Sequence, residues 1–177
     1  MIKRVFLSIF MALLVALPCV FAVIDLSDFP HMFLGDVRVV VGRAAKAEDV
    51  LGSIDIMATL QHRVGSSRRL KGAVLDTEVL DLASMNSIVV GGPCINSAAA
   101  RLMGFPTNCL EGFEMGKGII KLYEFDNGNY ALLAAGTTAL DTRRVTTVLA
   151  NYDAYALNGM EMVITGLSIS NINVNPK

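Results

Sequence analysis

Residues 87–93 read Ser-Ile-Val-Val-Gly-Gly-Pro, and this stretch decides the fold class. The β-branched run predicts a buried strand, which the two glycines end. Pro93 is tolerated in the first turn of a helix, where its missing N–H has no intrahelical partner to lose. A helix is therefore predicted from Cys94 to Met103, closed by Gly104. A strand followed at once by a helix is typical of α/β proteins.

The same order of elements occurs earlier in the chain. Val37–Val41 predicts a strand that ends at Gly42, and apolar residues spaced by three and four predict a helix from about Ala47 to His62. The residues with this spacing are Val50, Leu51, Ile54, Met57 and Ala58. The polar, basic residues 63–71 that follow predict an exposed loop.

The second half of the chain predicts a hairpin, a long helix and a last strand. Two apolar runs, residues 119–125 and 130–134, flank the turn sequence Asp-Asn-Gly-Asn at 126–129, a strong hairpin signal. Thr138 and Asp141 have the spacing of a capping box, so a helix is predicted from there to about Ala156. Residues 160–165 predict the last strand, and the Asn-rich tail 168–177 is expected to be frayed or paired at a sheet edge.

Strands that alternate with helices predict an α/β fold with a mostly parallel sheet. We expect a two- or three-layer, Rossmann-like sandwich. Val39–Gly42 and Val89–Gly92 are similar and each precedes a helix, which suggests two related β-loop-α halves. Chance similarity between two buried strands is the alternative explanation.

Residues 1–22 have the layout of a secretory signal peptide. Lys3 and Arg4 precede an apolar run, and Val20 and Ala22 stand at the −3 and −1 positions of a cleavage site. Cleavage is the expectation, and an uncleaved membrane anchor is the alternative. Residues 23–166 are then predicted to be one α/β domain and residues 167–177 a C-terminal tail. Export would place the protein outside the cell or at its surface.

Composition and charge exclude several classes of protein. The 177 residues are 53% hydrophobic and 18% charged, which argues against disorder. Lys and Arg number 15 against 16 Asp and Glu, so no basic excess indicates a nucleic-acid surface. Contact with a membrane is expected only through an uncleaved signal segment.

Two cysteines remain after the predicted cleavage, because Cys19 leaves with the signal. When only two cysteines remain in an exported chain, a disulfide between them, here Cys94 and Cys109, is the prediction. A metal site or a catalytic thiol is the alternative, but neither His31 nor His62 is near either cysteine in sequence.

Two short motifs are candidates for binding. Gly91-Gly92-Pro93 ends a strand where α/β proteins often hold anions, yet it lacks the third glycine of a dinucleotide site and the Gly-Lys-Ser/Thr of a phosphate loop. A tight turn is the favoured interpretation. Asp141, Arg143 and Arg144 could together bind an ion. The simpler interpretation is that Asp141 caps the helix and that the arginines pair with Asp153, Glu48 or solvent.

No other pattern predicts catalysis, a metal or a cofactor. Four acids, Glu111, Glu114, Glu124 and Asp126, lack the spacing of a calcium loop and are expected to be solvated. Gly-x-Ser-x-Gly does not occur in the sequence.

Several ordered segments of the chain resemble an archaeal S-layer protein family domain. The segments are residues 89–97, 109–117, 131–136 and 141–144 with 148–152, together with 24–30 and 47–50. The resemblance implies a secreted, structural protein of the cell surface without enzymatic activity, and a bridge between Cys94 and Cys109. Its partners would be other envelope or S-layer proteins, including further copies of itself. The chain departs from the family in its small size, which favours an accessory domain, and in having no Asn-x-Ser/Thr sequon.

Two functions from other classes are the alternatives. The two Val-Val-Gly-Gly-like halves are more loosely similar to cell-wall-binding α/β repeats, which would imply anchoring to an envelope polymer. The absence of Trp and the small number of Tyr, 4, make sugar-stacking platforms scarce. The other alternative is an exported Rossmann-like nucleotide-binding enzyme that uses the turn at Gly91-Gly92.

Overall fold

The structure, a computed structural model, describes residues 24–66 and 68–177. The predicted signal peptide lies outside these residues, so its presence and cleavage stay predictions. Within the described residues, no helix combines the length and the apolar character needed to cross a membrane.

Within residues 24–66 and 68–177, seven strands form one mixed sheet, and three α-helices pack on it. The strands are β1 (Val37–Val41), β2 (Ala73–Leu75), β3 (Asn86–Val90), β4 (Gly118–Glu124), β5 (Tyr130–Gly136), β6 (Glu161–Ser168) and β7 (Asn171–Pro176). The helices are α1 (Ala47–Val64), α2 (Ser97–Leu102) and α3 (Ala139–Ala150). The predicted α/β class is confirmed.

The sheet is parallel in one half and antiparallel in the other. Its strand order is β2-β1-β3-β5-β4-β6-β7. The pairs from β2 to β5 are parallel, and those from β5 to β7 are antiparallel. The prediction of a mostly parallel sheet is therefore wrong for the second half. The predicted hairpin at residues 126–129 is present, and such a short connection joins only antiparallel neighbours.

Both faces of the sheet are covered. Alternate residues of the central strands point to opposite faces, so Val39 and Val90 pack with α1 and α3. Val40 and Val89 pack on the other face with Ala98 of α2 and with the segment before β3. The result is three layers of unequal thickness.

Helix α1 turns a different face to the core from the one that its apolar stripe predicts. Val50, Leu51 and Ile54 are 43%, 54% and 57% exposed. The buried residues of this helix are Asp49, Gly52, Ser53, Ile56 and Leu60. The cause is packing against α3, because small residues at positions 52 and 53 let the two helices approach closely. The predicted helix is present, and the first half of its apolar stripe faces solvent.

The predicted start of α2 and the predicted end of α3 also differ from the structure. Helix α2 begins at Ser97 and not at Cys94, because the Asn96 side chain accepts from the N–H groups of Ala98 and Ala99 and so starts the helix there. Helix α3 ends at Ala150 instead of Ala156, and a short 3₁₀ turn follows. Of the two expected states of the tail, frayed or paired at a sheet edge, the structure shows the second, since β7 pairs with β6.

The Gln61 side chain hydrogen-bonds to both ends of the loop after α1. The Gln61 amide donates to the backbone oxygens of Gly65 (2.9 Å) and Arg68 (2.8 Å), and its oxygen accepts from Leu70 N (3.1 Å). Leu70 is buried, so this end of the predicted exposed loop joins the core.

Candidate functional site

A pocket lies at the carboxyl ends of β3 and β5, the edge of a parallel sheet where α/β proteins bind ligands. Its volume is about 290 Å³. Four segments form it: the start of α1, the loop after β3, the disulfide loop and the start of α3. The lining residues are Lys46, Asp49, Gly92, Pro93, Cys94, Ile95, Cys109, Leu110, Phe113, Gly136, Thr137, Thr138, Ala139 and Thr142. We call this the strand-end pocket.

The loop after β3 is a tight turn, as the favoured interpretation of Gly91-Gly92-Pro93 predicts. Gly91 has a φ of +98°, a conformation that suits glycine. Asn96, at the end of this turn, donates to Val40 O (3.2 Å) and Val90 O (2.8 Å). This buried amide therefore ties the carboxyl ends of β1 and β3 together.

The predicted disulfide is confirmed. Cys94 and Cys109 are bonded, and their Cα atoms are 5.0 Å apart. The bridge attaches the loop that carries Leu110 and Phe113 to the turn after β3, so this loop forms one wall of the strand-end pocket.

Asp141 and the two arginines hold the structure together at the start of α3. The capping box of Thr138 and Asp141 is present, and the Thr137 hydroxyl also donates to Asp141 Oδ2 (2.6 Å). Buried Arg144 pairs with Asp141 and donates to Gly116 O (2.9 Å). The disulfide loop is thus anchored at its far end as well.

Arg143 pairs with a residue that the sequence did not indicate. Its guanidinium lies 2.5 Å from Asp55 Oδ2 on α1, whereas the sequence suggested Asp153, Glu48 or solvent. The packing of α1 against α3 brings Asp55 to Arg143. Asp141 and Arg143 therefore point to different neighbours and do not converge on one ion.

Asp49 is the polar residue of the pocket that sequence reasoning missed. It is 0% exposed, and its Oδ2 accepts from Lys46 N (2.9 Å) at the start of α1. Its Oδ1 is buried, and no hydrogen bond of good geometry reaches it from the described residues. The Thr142 hydroxyl lies beside the carboxyl and stabilises its ionised form, although it also donates to Thr138 O (3.3 Å).

The surroundings of Asp49 disfavour its charge. Burial raises the pKa of Asp49 above its usual value, although the Lys46 N–H opposes the shift. Acids near a helix start are ordinarily exposed caps, so only the contact between α1 and α3 reveals that this one is buried.

Asp76 is a second buried acid that the sequence does not single out. Its carboxylate accepts from Arg43 N (2.8 Å) and from Ser97 N (2.6 Å). Burial raises the pKa of Asp76, but these hydrogen bonds outweigh burial and lower it overall. Asp76 therefore joins the segment after β1 to the start of α2, and both of its oxygens are in use.

The four solvated acids and the histidines form no common site. Glu114 pairs with Lys117 at 2.5 Å, and Glu124 accepts from the Tyr130 hydroxyl at 3.4 Å. Across residues 24–66 and 68–177, no three His, Cys, Asp or Glu side chains are placed to hold a metal ion.

Comparison of the sequence with models of known protein families gives no match, and comparison with curated proteins gives none either. The function is therefore argued from this chain's own residues and geometry.

Proposed function

We propose that the protein is an exported, non-catalytic structural component of the cell envelope, in or beside an S-layer, that acts through protein–protein contacts. The resemblance of its ordered segments to an archaeal S-layer protein family domain supports this proposal. The observation that carries it is the apolar stripe of α1 that faces solvent.

This stripe and the neighbouring strand form a surface suited to another protein. We define the α1 contact face as Val50, Leu51, Ile54 and Leu75, each between 43% and 57% exposed. Clustered exposed apolar side chains mark interaction sites. A groove of about 530 Å³ lies between α1 and the segment that leads into β2.

The contact face lies beside β2, which pairs only with β1 among the described strands. Only part of the outer edge of β2 is open, because Leu75 N donates to Glu78 Oε2 (2.9 Å) and Leu75 O accepts from Glu78 N (3.0 Å). The exposed apolar side chains therefore carry the argument for a protein partner: a neighbouring envelope protein or another copy of this chain.

The two alternatives gain less support. The residues that line the groove include no aromatic side chain, so a glycan would find no stacking surface there. A nucleotide at the turn of Gly91-Gly92 would bring its phosphates close to the buried carboxyl of Asp49 in the strand-end pocket, and like charges repel.

We propose further that the parallel half of the sheet is Rossmann-like and built from two related halves. β1 and β3 are neighbouring parallel strands, and the helices that follow them pack on opposite faces. A twofold axis along the strands between two related halves would place the helices in this way.

The test is co-sedimentation of the exported protein with envelopes from the source cells. Saturable pelleting is expected from the wild type and from a Leu167→Glu control, which alters a side chain that is 92% exposed on β6. The double variant Leu51→Glu/Ile54→Lys is expected to stay in the supernatant, because it places charges on the contact face. Circular dichroism checks that both variants are folded.

Other outcomes of this experiment would change the proposed function. Equal pelleting of the double variant and the control would remove the α1 contact face from the proposal. Pelleting that persists after the envelope proteins have been stripped would favour polymer binding. A wild type that never pellets would contradict both surface functions.

A further inference from the structure

We infer that the groove beside the α1 contact face binds the disulfide loop of a second copy of this chain, with Glu111 of that loop placed on Arg69. The inference rests on the proposed function, because it names the partner of the α1 contact face. The contact is head-to-tail, since it joins two different surfaces of the same chain.

The groove combines apolar walls with a basic rim. Its apolar side chains include Val50, Ile54, Met57 and Leu70, and the Arg69 side chain also lines it. A surface of this kind fits an exposed apolar segment that carries an acidic group.

The charge at this rim is positive and in part unused. Arg68, Arg69 and Lys71 line a small pocket together with one acid, Asp36, which pairs with Lys71 at 2.5 Å. Arg68 donates to Leu34 O (3.4 Å). Arg69 has neither an ion pair nor a side-chain hydrogen bond within the described part of the chain. Its guanidinium is therefore available to a carboxylate of a partner.

The disulfide loop carries the complementary groups. Leu110 and Met115 are 39% and 78% exposed, and the exposed Glu111 lies between them in sequence. The Glu111 carboxylate has no partner among the residues that the structure describes, whereas Glu114 pairs with Lys117. Two apolar side chains with a free carboxylate match an apolar groove with a free guanidinium, and these two ions form strong paired hydrogen bonds.

The loop is fixed in place, so the groove that it fits belongs to another copy. The bridge between Cys109 and Cys94 ties it to the turn after β3, and Arg144 donates to Gly116 O at its far end (2.9 Å). The lining of the groove includes no residue of this loop. A preformed loop also loses little conformational freedom on binding, which favours association.

The groove has room for both apolar side chains of the loop. Its volume is about 530 Å³, and a cavity of about 150 Å³ already holds benzene. Leu110 and Met115 therefore fit into it together. A head-to-tail contact that is repeated from copy to copy builds a ring or an open chain, which suits a component of a layer.

Sedimentation velocity of the exported protein, from about 1 µM to about 1 mM, measures the association. The wild type is expected to sediment faster as its concentration rises. Arg69→Glu and Glu111→Arg should each weaken the association about tenfold or more, because each places like charges in the contact. Asp126→Arg is the matched control: it makes the same change of charge at an exposed turn outside both surfaces and should associate like the wild type.

A charge swap makes the test specific for this pair of residues. An equimolar mixture of the Arg69→Glu and Glu111→Arg proteins should associate again, since each groove finds a loop of opposite charge on the other variant. A chain with both substitutions should associate by itself. Both side chains are exposed, so the variants are expected to fold, and circular dichroism checks this.

Three results would overturn the inference: a wild type that stays monomeric throughout the series, a Glu111→Arg variant that associates like the wild type, or a mixture that stays as dissociated as its components. A monomeric wild type whose pelleting with envelopes depends on the α1 contact face would overturn the inference and leave the proposed function standing. Charge-dependent self-association of a wild type that does not pellet with envelopes would support the inference and contradict the proposed function.

Discussion

A β-carbon built on Gly52 would lie 2.2 Å from Thr146 Oγ1, so α1 and α3 meet at a point where a methyl group has no room. This contact sets the rotation of α1. It buries Asp49 and turns Val50, Leu51 and Ile54 outward. The proposed function depends on this contact, because the α1 contact face is formed by the outward stripe.

Gly52→Ala is therefore expected to destabilise the protein by about 1–3 kcal/mol, the usual cost of overpacking. Urea unfolding measures the change. Gly35→Ala is the matched control, since a β-carbon there meets nothing within 4 Å, and its effect should stay within about 0.5 kcal/mol. Adding Thr146→Ala to the Gly52→Ala variant should recover part of the lost stability. If the effects of the two substitutions on the free energy of unfolding were strictly additive, the predicted contact would be contradicted.

Asn96→Ala is expected to cost about 3 kcal/mol. It removes the cap of α2 and leaves the buried oxygens of Val40 and Val90 without this donor. Thermal and urea unfolding measure the loss. Asn151→Ala, which removes an exposed amide at the end of α3, should cost much less. A similar loss in both variants would show that the hydrogen bonds from the Asn96 amide to β1 and β3 contribute little to the free energy of unfolding.

Replacing both bridged cysteines by alanine should lower the free energy of unfolding by about 3 kcal/mol, since the bridge closes a loop with a sequence separation of 15. Chemical denaturation of the double variant measures this loss. Peptide mapping of the unreduced wild type should recover the linked Cys94 and Cys109 peptides. Free thiols at both positions in the native protein would contradict the structure.

Asp49→Asn should gain stability relative to the wild type as the pH rises from about 4 to 7. Burial raises the pKa of Asp49 in the folded protein, so the folded state holds its proton more tightly than the unfolded chain. Ionisation above the unfolded pKa therefore costs the wild type stability, and asparagine does not ionise. Urea unfolding of both proteins across this pH range measures the difference.

Asp76→Asn provides the control of opposite sign. The pKa of Asp76 is lowered despite its burial, because backbone N–H groups donate to its ionised carboxylate. The ionised carboxylate therefore stabilises the folded state, and this stabilisation is lost as the pH falls and Asp76 is protonated. The deficit of this variant should therefore grow as the pH rises. The same trend in both variants would mean that the pKa values of Asp49 and Asp76 are not shifted in opposite directions on folding.

Local sequence determined most elements of this protein. β-branched runs mark β1 and β3, the Asn-Gly turn marks the hairpin of β4 and β5, and the spacing of Thr138 and Asp141 marks the start of α3. The pairing of Cys94 with Cys109 followed from counting cysteines in a chain predicted to be exported. These features are readable because each depends on residues close in sequence or on a choice with few alternatives.

Tertiary structure alone decided what could be functional. The apolar stripe of α1 predicts the wrong buried face, because the close approach of Gly52 to Thr146 depends on residues 94 positions apart in the chain. The same packing strips Asp49 of water and brings Asp55 to Arg143. Periodicity reports how apolar a helix face is, but the shape of the neighbouring helix determines which face is buried.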